Sequence, residues 1–408
     1  MSKVVQINTV SNYGSTGKIV EAIGLLAHDC GWNSKIAVGG RYSQPSKLET
    51  YQISNVFQNY LSAIHSYVSG HHGFANRYET AKFLRWLNNE NPDIVHLHNI
   101  HSYILNVGLL FNFLSQKKQK VIWTLHDCWP FTGHCSHFIQ HSCYKWQTGC
   151  YDCPAIHGFP KSLLFDRSQP NYDEKKTLFN TIDNMIIVTV SNWLAECVRS
   201  SFLGNYNVMV IPNGVDLDIF KPNLTSVATK FGLERKKIVL GVSTSWCNAK
   251  GLGDYLQLRK LLPQDYVIVL IGMTKEQVKK YSAPGFLCIE KTNSLIELVE
   301  WYNAAHVILN LSYAETFGLP VAEGFACGKP AIVYDNTALT ELITTGTGYK
   351  AASGDVCRVK ELILNMNEEN DETYLYNCRS RAENLYDKKK NYNEYLTIYK
   401  SMMETTCI

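Results

Sequence analysis

Runs of β-branched and apolar residues alternate with helix-like segments along this chain of 408 residues. Typical runs cover residues 4–8, 121–125 and 306–311, and each is followed by a polar turn. Strands that alternate with helices pair in parallel, because each crossover helix returns the chain to the same end of the sheet. The pattern therefore predicts an α/β chain that binds ligands at the carboxyl ends of its strands.

This pattern occurs twice, on either side of a polar segment that contains Pro222. The first series covers residues 1–216, the segment 217–234 has the composition of an interdomain linker, and the second series covers 235–390. A chain of this length has room for two cores. We therefore expect two open parallel sheets, with the ligand site in the cleft between them.

Composition excludes several classes of protein. Hydrophobic residues make up 45% and charged residues 18%, which indicates a folded chain and not a disordered one. The net charge of +3 gives no bulk signal for nucleic acid. The most apolar segment, 95–114, is interrupted by histidines and asparagines, and the chain starts in a strand without a signal-peptide core. We expect a cytoplasmic protein.

The segment 315–323, ETFGLPVAE, is the first candidate site. It follows the strand at 306–311 and leads into a short helix that Pro320 would begin and Gly328 would end. Free N–H groups at such a helix start bind phosphate. Glu315 and Glu323 would repel a phosphate, so they more plausibly meet the hydroxyls of a ribose or a sugar. An ordinary αβ connection is the alternative.

A glycine-rich turn follows the first strand and precedes a helix expected at 19–30. Its residues Gly14, Ser15, Thr16 and Gly17 let the backbone approach a ligand closely. The turn lacks the residues of a Walker A motif and of the dinucleotide fingerprint, so ATPase and dehydrogenase functions lose their main support. A tight βα connection without a ligand remains the alternative.

Two histidines follow neighbouring strands directly. His98 comes after the strand that starts at residue 94, and His126 comes after the strand at 121–125. Because parallel strands place their carboxyl ends at one edge, both are candidates for lining the site.

Five of the 13 cysteines lie within 26 residues, between Cys128 and Cys153. A tetrahedral metal bound by four thiolates would stabilise a loop of low apolar content. An iron–sulfur cluster and reduced thiols without a metal are the two alternatives. The four candidate ligands, in a C-x7-C-x6-C-x2-C pattern, are Cys135, Cys143, Cys150 and Cys153.

In this order, the motifs resemble those of the retaining family 4 glycosyltransferases of the GT-B fold. The resemblance covers nearly the whole chain and is carried by the glycine turn, 124–127, 190–191, 211–216, 250–251 and the Glu315/Glu323 pair. The cysteine-rich insert at 126–154 is similar to that of a colanic-acid-type and O-antigen-type subgroup. The resemblance implies two Rossmann-like domains facing across a cleft, with a C-terminal helix, 391–408, that returns to the first domain.

The resemblance also implies a role for each candidate residue. His126 and Glu315 would be catalytic, contacting the transferred sugar and supporting positive charge at its anomeric carbon. Glu323 would bind the ribose of the donor. Gly14 to Gly17 and His98 would form a loop that closes on donor or acceptor. Further donor contacts would come from Lys250, Phe317, Gly318, Leu319, Asn213 and Ser245. Ser245 is a departure, because the family usually has an arginine there as a second diphosphate contact.

The function implied is transfer of a hexose from a nucleoside-diphosphate sugar to a lipid-linked oligosaccharide in bacterial surface polysaccharide synthesis. No cofactor would be required, any zinc would be structural, nucleic acid would not be a partner, and the inner-membrane surface could be contacted. A sugar-nucleotide epimerase of the same fold and a non-catalytic partner in a polysaccharide complex are the rival functions.

Overall fold

The computed structural model describes residues 1–40, 43–163, 165–366 and 371–404. The contacts divide the chain into two compact units. The first unit holds Met1–Ile211 together with the chain from Tyr392, and the second unit holds Pro212–Asn391. No helix in the described ranges is long and apolar enough to cross a bilayer.

The first unit is built on a parallel sheet of seven strands in the order β3-β2-β1-β4-β5-β6-β7. Three short 3-10 turns, Trp129–Phe131, Ile139–His141 and Lys145–Gln147, lie in the cysteine-rich insert. The regular elements are β1 (Lys3–Asn8), α1 (Gly14–Asp29), β2 (Asn33–Gly39), β3 (Glu49–Ser54), α2 (Val56–Ser69), α3 (Arg77–Glu90), β4 (Ile94–Leu97), α4 (Val107–Gln116), β5 (Lys120–Leu125), α5 (Ser168–Phe179), β6 (Met185–Thr189), α6 (Asn192–Arg199) and β7 (Asn207–Val210).

The second unit is built on a parallel sheet of six strands in the order β10-β9-β8-β11-β12-β13. The segment predicted as a linker contains the first helix of this unit. The elements are α7 (Val227–Lys230), β8 (Lys237–Val242), α8 (Leu252–Leu261), β9 (Tyr266–Ile271), α9 (Lys275–Tyr281), β10 (Phe286–Ile289), α10 (Leu295–Ala304), β11 (Ala305–Asn310), α11 (Leu319–Ala326), β12 (Ala331–Tyr334), α12 (Leu339–Leu342), β13 (Gly348–Ala351), α13 (Val356–Leu364), α14 (Asp371–Leu385) and α15 (Lys388–Glu404).

The central strands of both sheets are buried on both faces, which explains why they are apolar without alternation. All six side chains of β9 (YVIVLI) are buried. In each sheet the strand order reverses once, between β1 and β4 and between β8 and β11. Such a reversal opens a crevice at the carboxyl ends of the two strands, where α/β proteins bind ligands. The predicted α/β class with two parallel sheets is confirmed.

The last helix, α15, packs in the core of the first unit, as predicted. Its residues Tyr395 and Tyr399 are buried against Val4 and Ile122 of the first sheet. The Tyr399 hydroxyl lies 2.7 Å from Nδ1 of His96. Residues 405–408 of the predicted C-terminal helix lie outside the described ranges. The sequence analysis missed β3 and α2, because the region before residue 78 is rich in polar and aromatic residues without a clear strand signal.

Candidate active site

Lys250 and Glu315 form an ion pair at the point where the strand order of the second sheet reverses. Lys250 follows β8 and Glu315 follows β11, and these two strands are neighbours. The Lys250 ammonium donates to Glu315 Oε1 at 2.6 Å. Both side chains remain partly accessible, at 31% and 19%. The pair therefore offers a cation and a carboxylate side by side at the edge where ligands bind.

The loop from Glu315 to α11 is fixed by backbone contacts. The Glu315 N–H donates to Thr337 Oγ1 at 3.1 Å, and its carbonyl accepts from Ala338 N–H at 3.3 Å. Gly318 has a φ of +97°, which favours glycine, and a methyl group there would lie 2.7 Å from Leu339. The predicted helix start at Pro320 is confirmed, because α11 begins with Leu319 and Pro320. Pro320 has no N–H and the Val321 N–H donates to the Gly318 carbonyl at 2.9 Å, so an anion at this helix start would meet the N–H groups of Gly318 and Leu319.

Glu323 lies one turn into α11, and its carboxylate is hydrogen-bonded by a tyrosine. The buried Tyr302 hydroxyl donates to Glu323 Oε2 at 2.6 Å. Burial and the charge of Glu323 raise the pKa of Tyr302 well above its usual range, so this hydroxyl stays protonated and keeps donating. The contact fixes one carboxylate oxygen in a defined position, which suits recognition of a hydroxyl.

The other predicted donor contacts differ in how they are placed. The Phe317 side chain is buried with its ring centroid 5.6 Å from that of Tyr386, so its backbone is what a ligand could meet. Leu319 is half-buried at the start of α11, and Ser245 is exposed in the loop after β8. Asn213 is buried near the start of the second unit, and no contact described for it reaches Lys250 or Glu315.

In the first unit, the structure brings together the two predicted histidines. His98 Nδ1 lies 3.2 Å from His126 Nε2, and His98 Nε2 lies 3.1 Å from Gln6 Oε1. The Trp123 indole N–H donates to the His98 carbonyl at 3.1 Å. The imidazole of His98 also packs on that of His96, with ring centroids 4.1 Å apart. These residues come from β1, β4 and β5, at the reversal point of the first sheet.

These imidazoles are neutral at physiological pH. Burial lowers the pKa of His126 to about 4. The nearby Asp127 raises this pKa and His101 lowers it, but burial has the largest effect. Burial and the neighbouring His96 and His126 lower the pKa of His98 well below its usual value. A neutral imidazole both donates and accepts one hydrogen bond, so this edge can bind hydroxyls without carrying charge.

Asp127 is hydrogen-bonded to His101 and to the backbone of Trp129. Its Oδ2 lies 2.7 Å from His101 Nε2, and its Oδ1 accepts from the Trp129 N–H at 3.0 Å. Burial raises the pKa of Asp127, but the opposing His101 and these hydrogen bonds outweigh burial and hold it below the usual value. Asp127 therefore anchors the start of the cysteine-rich insert.

The glycine turn is shorter than expected, because α1 begins at Gly14 and not at residue 19. Gly14, Ser15, Thr16 and Gly17 form the first helical turn. Gly17 packs close to the preceding loop, where a methyl group would lie 3.1 Å from Val10. Tyr13 at the N-cap gives no side-chain cap, so the N–H groups of this turn lie at a helix start suited to an anion or a hydroxyl.

The four predicted thiol ligands lie in one region of the insert. Burial raises the pKa of Cys135 to about 12, with further increases caused by Cys153, Cys150 and Cys143. The Gly133 N–H donates to Cys150 Sγ at 3.1 Å. Sulfur atoms that accept backbone N–H groups are typical of metal-binding loops.

Within the described ranges, no three His, Cys, Asp or Glu side chains come together closely enough to hold a metal ion. The thiols form a loose cluster, beside the buried Lys175, whose ammonium donates to the carbonyls of Trp129 and Thr132. Zinc stays a prediction.

Three residues that contribute to these edges were missed from the sequence. Gln6 is a fully buried polar residue within an apolar strand, and this anomaly could have marked it. Tyr302 and Thr337 lie on elements distant in sequence from the glutamates they contact, and no local pattern indicates them.

Known protein families match both series of strands and helices. Residues 52–219 match the family "Glycosyltransferase Family 4", and residues 236–368 match "Glycosyl transferases group 1". The putative colanic acid biosynthesis glycosyl transferase WcaC of Escherichia coli K12 is 22% identical over 321 residues, which cover 76% of this chain and 77% of that protein.

Solved structures share the fold at low identity. Sucrose-phosphate synthase from Thermosynechococcus elongatus superposes with a TM-score of 0.74 at 14% identity, covering all of both chains. Anabaena HepE in complex with UDP-glucose superposes with a TM-score of 0.68 at 15% sequence identity, and the match covers 98% of this chain and all of that one. The superpositions show the GT-B fold, and the two family models, which together match residues 52–219 and 236–368, identify the chain as a glycosyltransferase of the family 4 and group 1 type.

Proposed function

We propose that this glycosyltransferase moves a hexose, with retention of anomeric configuration, from a nucleoside-diphosphate sugar to a lipid-linked saccharide in surface polysaccharide synthesis. The observation that carries the proposal is the Lys250–Glu315 pair at the sheet reversal, 2.6 Å apart and next to the start of α11. A diphosphate needs positive charge, and a sugar needs oriented acceptors for its hydroxyls. This edge offers both.

In this proposal, the donor binds to the second unit. The diphosphate replaces Glu315 as the partner of the Lys250 ammonium. It also accepts hydrogen bonds from the backbone N–H groups of Gly318 and Leu319. Glu323, fixed by Tyr302, accepts from the ribose hydroxyls. Glu315 stays beside the sugar and stabilises positive charge that develops at the anomeric carbon as the diphosphate leaves. Ser245 and Asn213 are peripheral donor contacts.

The cation of Lys250 and the helix start supply the charge that the leaving diphosphate requires. We propose that transfer depends on no cofactor, and that zinc, if the cysteines bind it, is structural. The insert that carries these thiols follows His126 on the first sheet, whereas the proposed diphosphate site is built on the second sheet.

The neutral edge of the first unit supports a role in binding hydroxyls. His126 is the proposed contact to the transferred sugar, and His98 fixes its position through the 3.2 Å nitrogen–nitrogen contact. Neutral imidazoles would hydrogen-bond sugar hydroxyls without attracting a competing anion. The first turn of α1, from Gly14 to Gly17, is proposed to contact the acceptor or its phosphate.

The relatives support the choice of substrates. WcaC of Escherichia coli is named for colanic acid biosynthesis, and the HepE structure contains UDP-glucose. We infer a uridine or related nucleotide sugar as donor, and an acceptor on a lipid carrier at the cytoplasmic face of the membrane.

The test is transfer from radiolabelled nucleotide sugars to lipid-linked acceptors. Lys250→Ala and Glu323→Ala are expected to abolish transfer while the protein stays folded. Lys230 and Glu300 form a matched ion pair elsewhere in the second unit, at 3.2 Å, so Lys230→Ala and Glu300→Ala are the controls. Unimpaired transfer in both site variants would refute the assigned roles.

The same assay separates the two rival functions. An epimerase would convert the donor sugar without any acceptor. A non-catalytic partner would bind nucleotide sugar, measured as a thermal shift, without turnover of any donor.

A further inference from the structure

Gln6 is a fully buried glutamine near the centre of strand β1. A buried side-chain amide is costly unless its hydrogen bonds are made inside the protein. Both ends of this amide are engaged, because its Nε2 donates to the Val20 carbonyl at 3.0 Å and its Oε1 lies 3.1 Å from His98 Nε2. Helix α1 leaves room for the amide at Gly24, where a methyl group would lie 2.6 Å from Gln6 Nε2. Gln6 is therefore fixed between α1 and the histidine that follows β4.

The orientation of the Gln6 amide follows from its two partners. A backbone carbonyl can only accept a hydrogen bond, so the side of the amide that faces Val20 must be the NH2 group. The side that faces His98 is therefore the amide oxygen. Reversing the amide would bring its oxygen against the Val20 carbonyl oxygen and would lose this hydrogen bond.

The position of each proton in the histidine pair follows in turn. Because the Gln6 oxygen can only accept, the ring proton of His98 must be on Nε2. A neutral imidazole carries one ring proton, so His98 Nδ1 is an acceptor. The 3.2 Å contact between His98 Nδ1 and His126 Nε2 then requires the proton of His126 to be on Nε2. The other ring nitrogen of His126, Nδ1, carries a lone pair and can only accept.

Both imidazoles of this pair are neutral. Burial lowers the pKa of His98 well below its usual value and lowers that of His126 to about 4. A second proton on His98 would also set two N–H groups against each other across the 3.2 Å contact. The neighbouring ring of His96 is engaged elsewhere, because its nitrogens lie 2.7 Å from the Tyr399 hydroxyl and 2.8 Å from the Thr124 hydroxyl.

We propose that Gln6 is a positioning residue that fixes the protons of His98 and His126, so that His126 meets the transferred sugar as a hydrogen-bond acceptor. The inference rests on the proposed function for the contact between His126 and that sugar. It deepens this function, because the site would then select a sugar hydroxyl, which can donate, over a group of similar size that can only accept. Fluorine is such a group.

The first experiment is ¹⁵N NMR spectroscopy of the full chain labelled in its histidine side chains, recorded without nucleotide sugar or acceptor. The two ring nitrogens of a neutral imidazole differ in chemical shift according to which one carries the proton. Wild type is expected to show both His98 and His126 with the proton on Nε2. The signals are assigned with His98→Gln and His126→Gln, each of which removes one imidazole.

Gln6→Met removes the acceptor while keeping a side chain of similar length. The Nε2–H of His98 then loses its partner. The reverse arrangement, in which His98 Nδ1 donates to His126 Nε2 and the proton of His126 is on Nδ1, is therefore expected to become populated.

Gln119→Met is the matched control for Gln6→Met. The Gln119 amide also donates to backbone carbonyls of the first unit, at 3.0 and 3.1 Å, but it does so before β4, at the opposite edge of the sheet. Gln119→Met should leave the protons of His98 and His126 where they are in wild type.

The second experiment uses the hexose donor that supports transfer, with one hydroxyl at a time replaced by fluorine. At the position that meets His126, fluorine is expected to lower kcat/KM about tenfold more in wild type than in Gln6→Met, because the bare Nδ1 cannot donate to fluorine. With the unmodified donor, Gln6→Met should lower kcat/KM about fivefold, the worth of one hydrogen bond, and Gln119→Met should match wild type.

The proposal is overturned if wild type carries the proton of His126 on Nδ1, and the wild-type spectrum decides this whether or not Gln6→Met folds. It is also overturned if Gln6→Met leaves both protons in place, or if fluorination lowers kcat/KM equally in wild type and Gln6→Met at every position. The spectra need no substrate, so a failure there leaves the proposed transfer intact. Unimpaired transfer in the Lys250 and Glu323 variants would refute the transfer roles without changing the proton positions.

Discussion

The two sheets carry their candidate site residues at the carboxyl ends of central strands but use opposite chemistry. After the neighbouring strands β4 and β5 of the first sheet stand His98 and His126, whose imidazoles are neutral and contact each other at 3.2 Å. At the reversal point of the second sheet stand Lys250 and Glu315, a charged pair at 2.6 Å. Twelve of the 13 histidines belong to the first unit, and the exception is His306.

This difference shows that topology fixes where a ligand binds and side chains fix which ligand. A charged edge retains its charge because each ion has a partner and some access to water. An edge of packed imidazoles stays neutral because burial and neighbouring rings oppose protonation. The first edge thus suits sugar hydroxyls, and the second suits a diphosphate with its sugar. Four predictions test this contrast, and they start with the largest expected effect on transfer.

Removing the charge of the second edge should have the largest effect. Lys250→Met is expected to lower kcat/KM for transfer by about 10²–10³-fold, because the leaving diphosphate loses its cation. Steady-state kinetics with a nucleotide-sugar donor measure the loss, and Lys230→Met is the control for an ion-paired lysine elsewhere. A loss of kcat/KM of less than threefold, which corresponds to about 0.7 kcal/mol, would show that Lys250 does not belong to the donor site.

Changing the neutral edge should cost less. His126→Ala is expected to lower kcat by about tenfold, the worth of one hydrogen bond to a neutral partner. Because its pKa is about 4, the pH profile of kcat should show no ionisation of His126 near neutrality. If kcat instead changed with an apparent pKa near the ordinary histidine value, and this change disappeared in His126→Gln, the conclusion that His126 is neutral would be wrong.

Acid should weaken the first unit selectively. Burial lowers the pKa of His96 to about 3 and that of His126 to about 4, whereas the unfolded chain binds protons at about 6.5. The contribution of these two histidines to the free energy of unfolding is therefore complete above pH 6.5. It is lost as the pH falls towards their pKa values in the folded protein. At pH 5 the expected loss is about 2 kcal/mol of unfolding free energy for each histidine.

Hydrogen exchange resolves the two units in one experiment. Protection factors of amides in β4 and β5 should fall between pH 7 and pH 5, whereas those in β9 and β10, which contain no histidine, serve as the internal control. Equal losses in both sheets would show that the histidines of the first unit do not cause the acid sensitivity.

The cysteine cluster should matter least to transfer. Elemental analysis of protein purified without added metal is expected to find about one zinc per chain. Cys150→Ser should lower the thermal stability of the first unit while kcat stays within about twofold, because the thiols support a loop and not the charged edge. Cys247→Ser, at an exposed thiol of the second unit, is the control. A metal-free preparation that is fully folded would contradict the zinc prediction.

Local sequence patterns sufficed for much of the fold and for the elements that carry the site. Apolar runs marked β1, β4, β5, β8 and β11, and Pro320 marked the start of α11. The positions after these strands contained the residues that the structure brings together. Helix α2 was missed because its region is rich in polar and aromatic residues, and the exposure of its apolar side could not be inferred from the sequence pattern.

Contacts between distant segments could not be read from the sequence. Tyr302 fixes Glu323 from a helix two elements away, and Tyr399 reaches His96 across more than 300 residues. Spacing alone also does not set the distances among the four cysteines of the insert, and in the described ranges no three possible metal ligands lie close enough to hold an ion. Spacing in a sequence restricts the distance between side chains only over a few residues, within one helix, strand or turn.

The sequence by itself determined the alternation of strands and helices, the polar residues that end each strand, and the glycine and proline positions that need special backbone angles. These are local properties, set by periodicity and dihedral preference. Only the tertiary structure decided strand order, and with it the neighbouring strand ends that bring His98 to His126 and Lys250 to Glu315. Burial, which decided that one edge stays neutral while the other carries charge, depends on every packed neighbour and exists only in the folded chain.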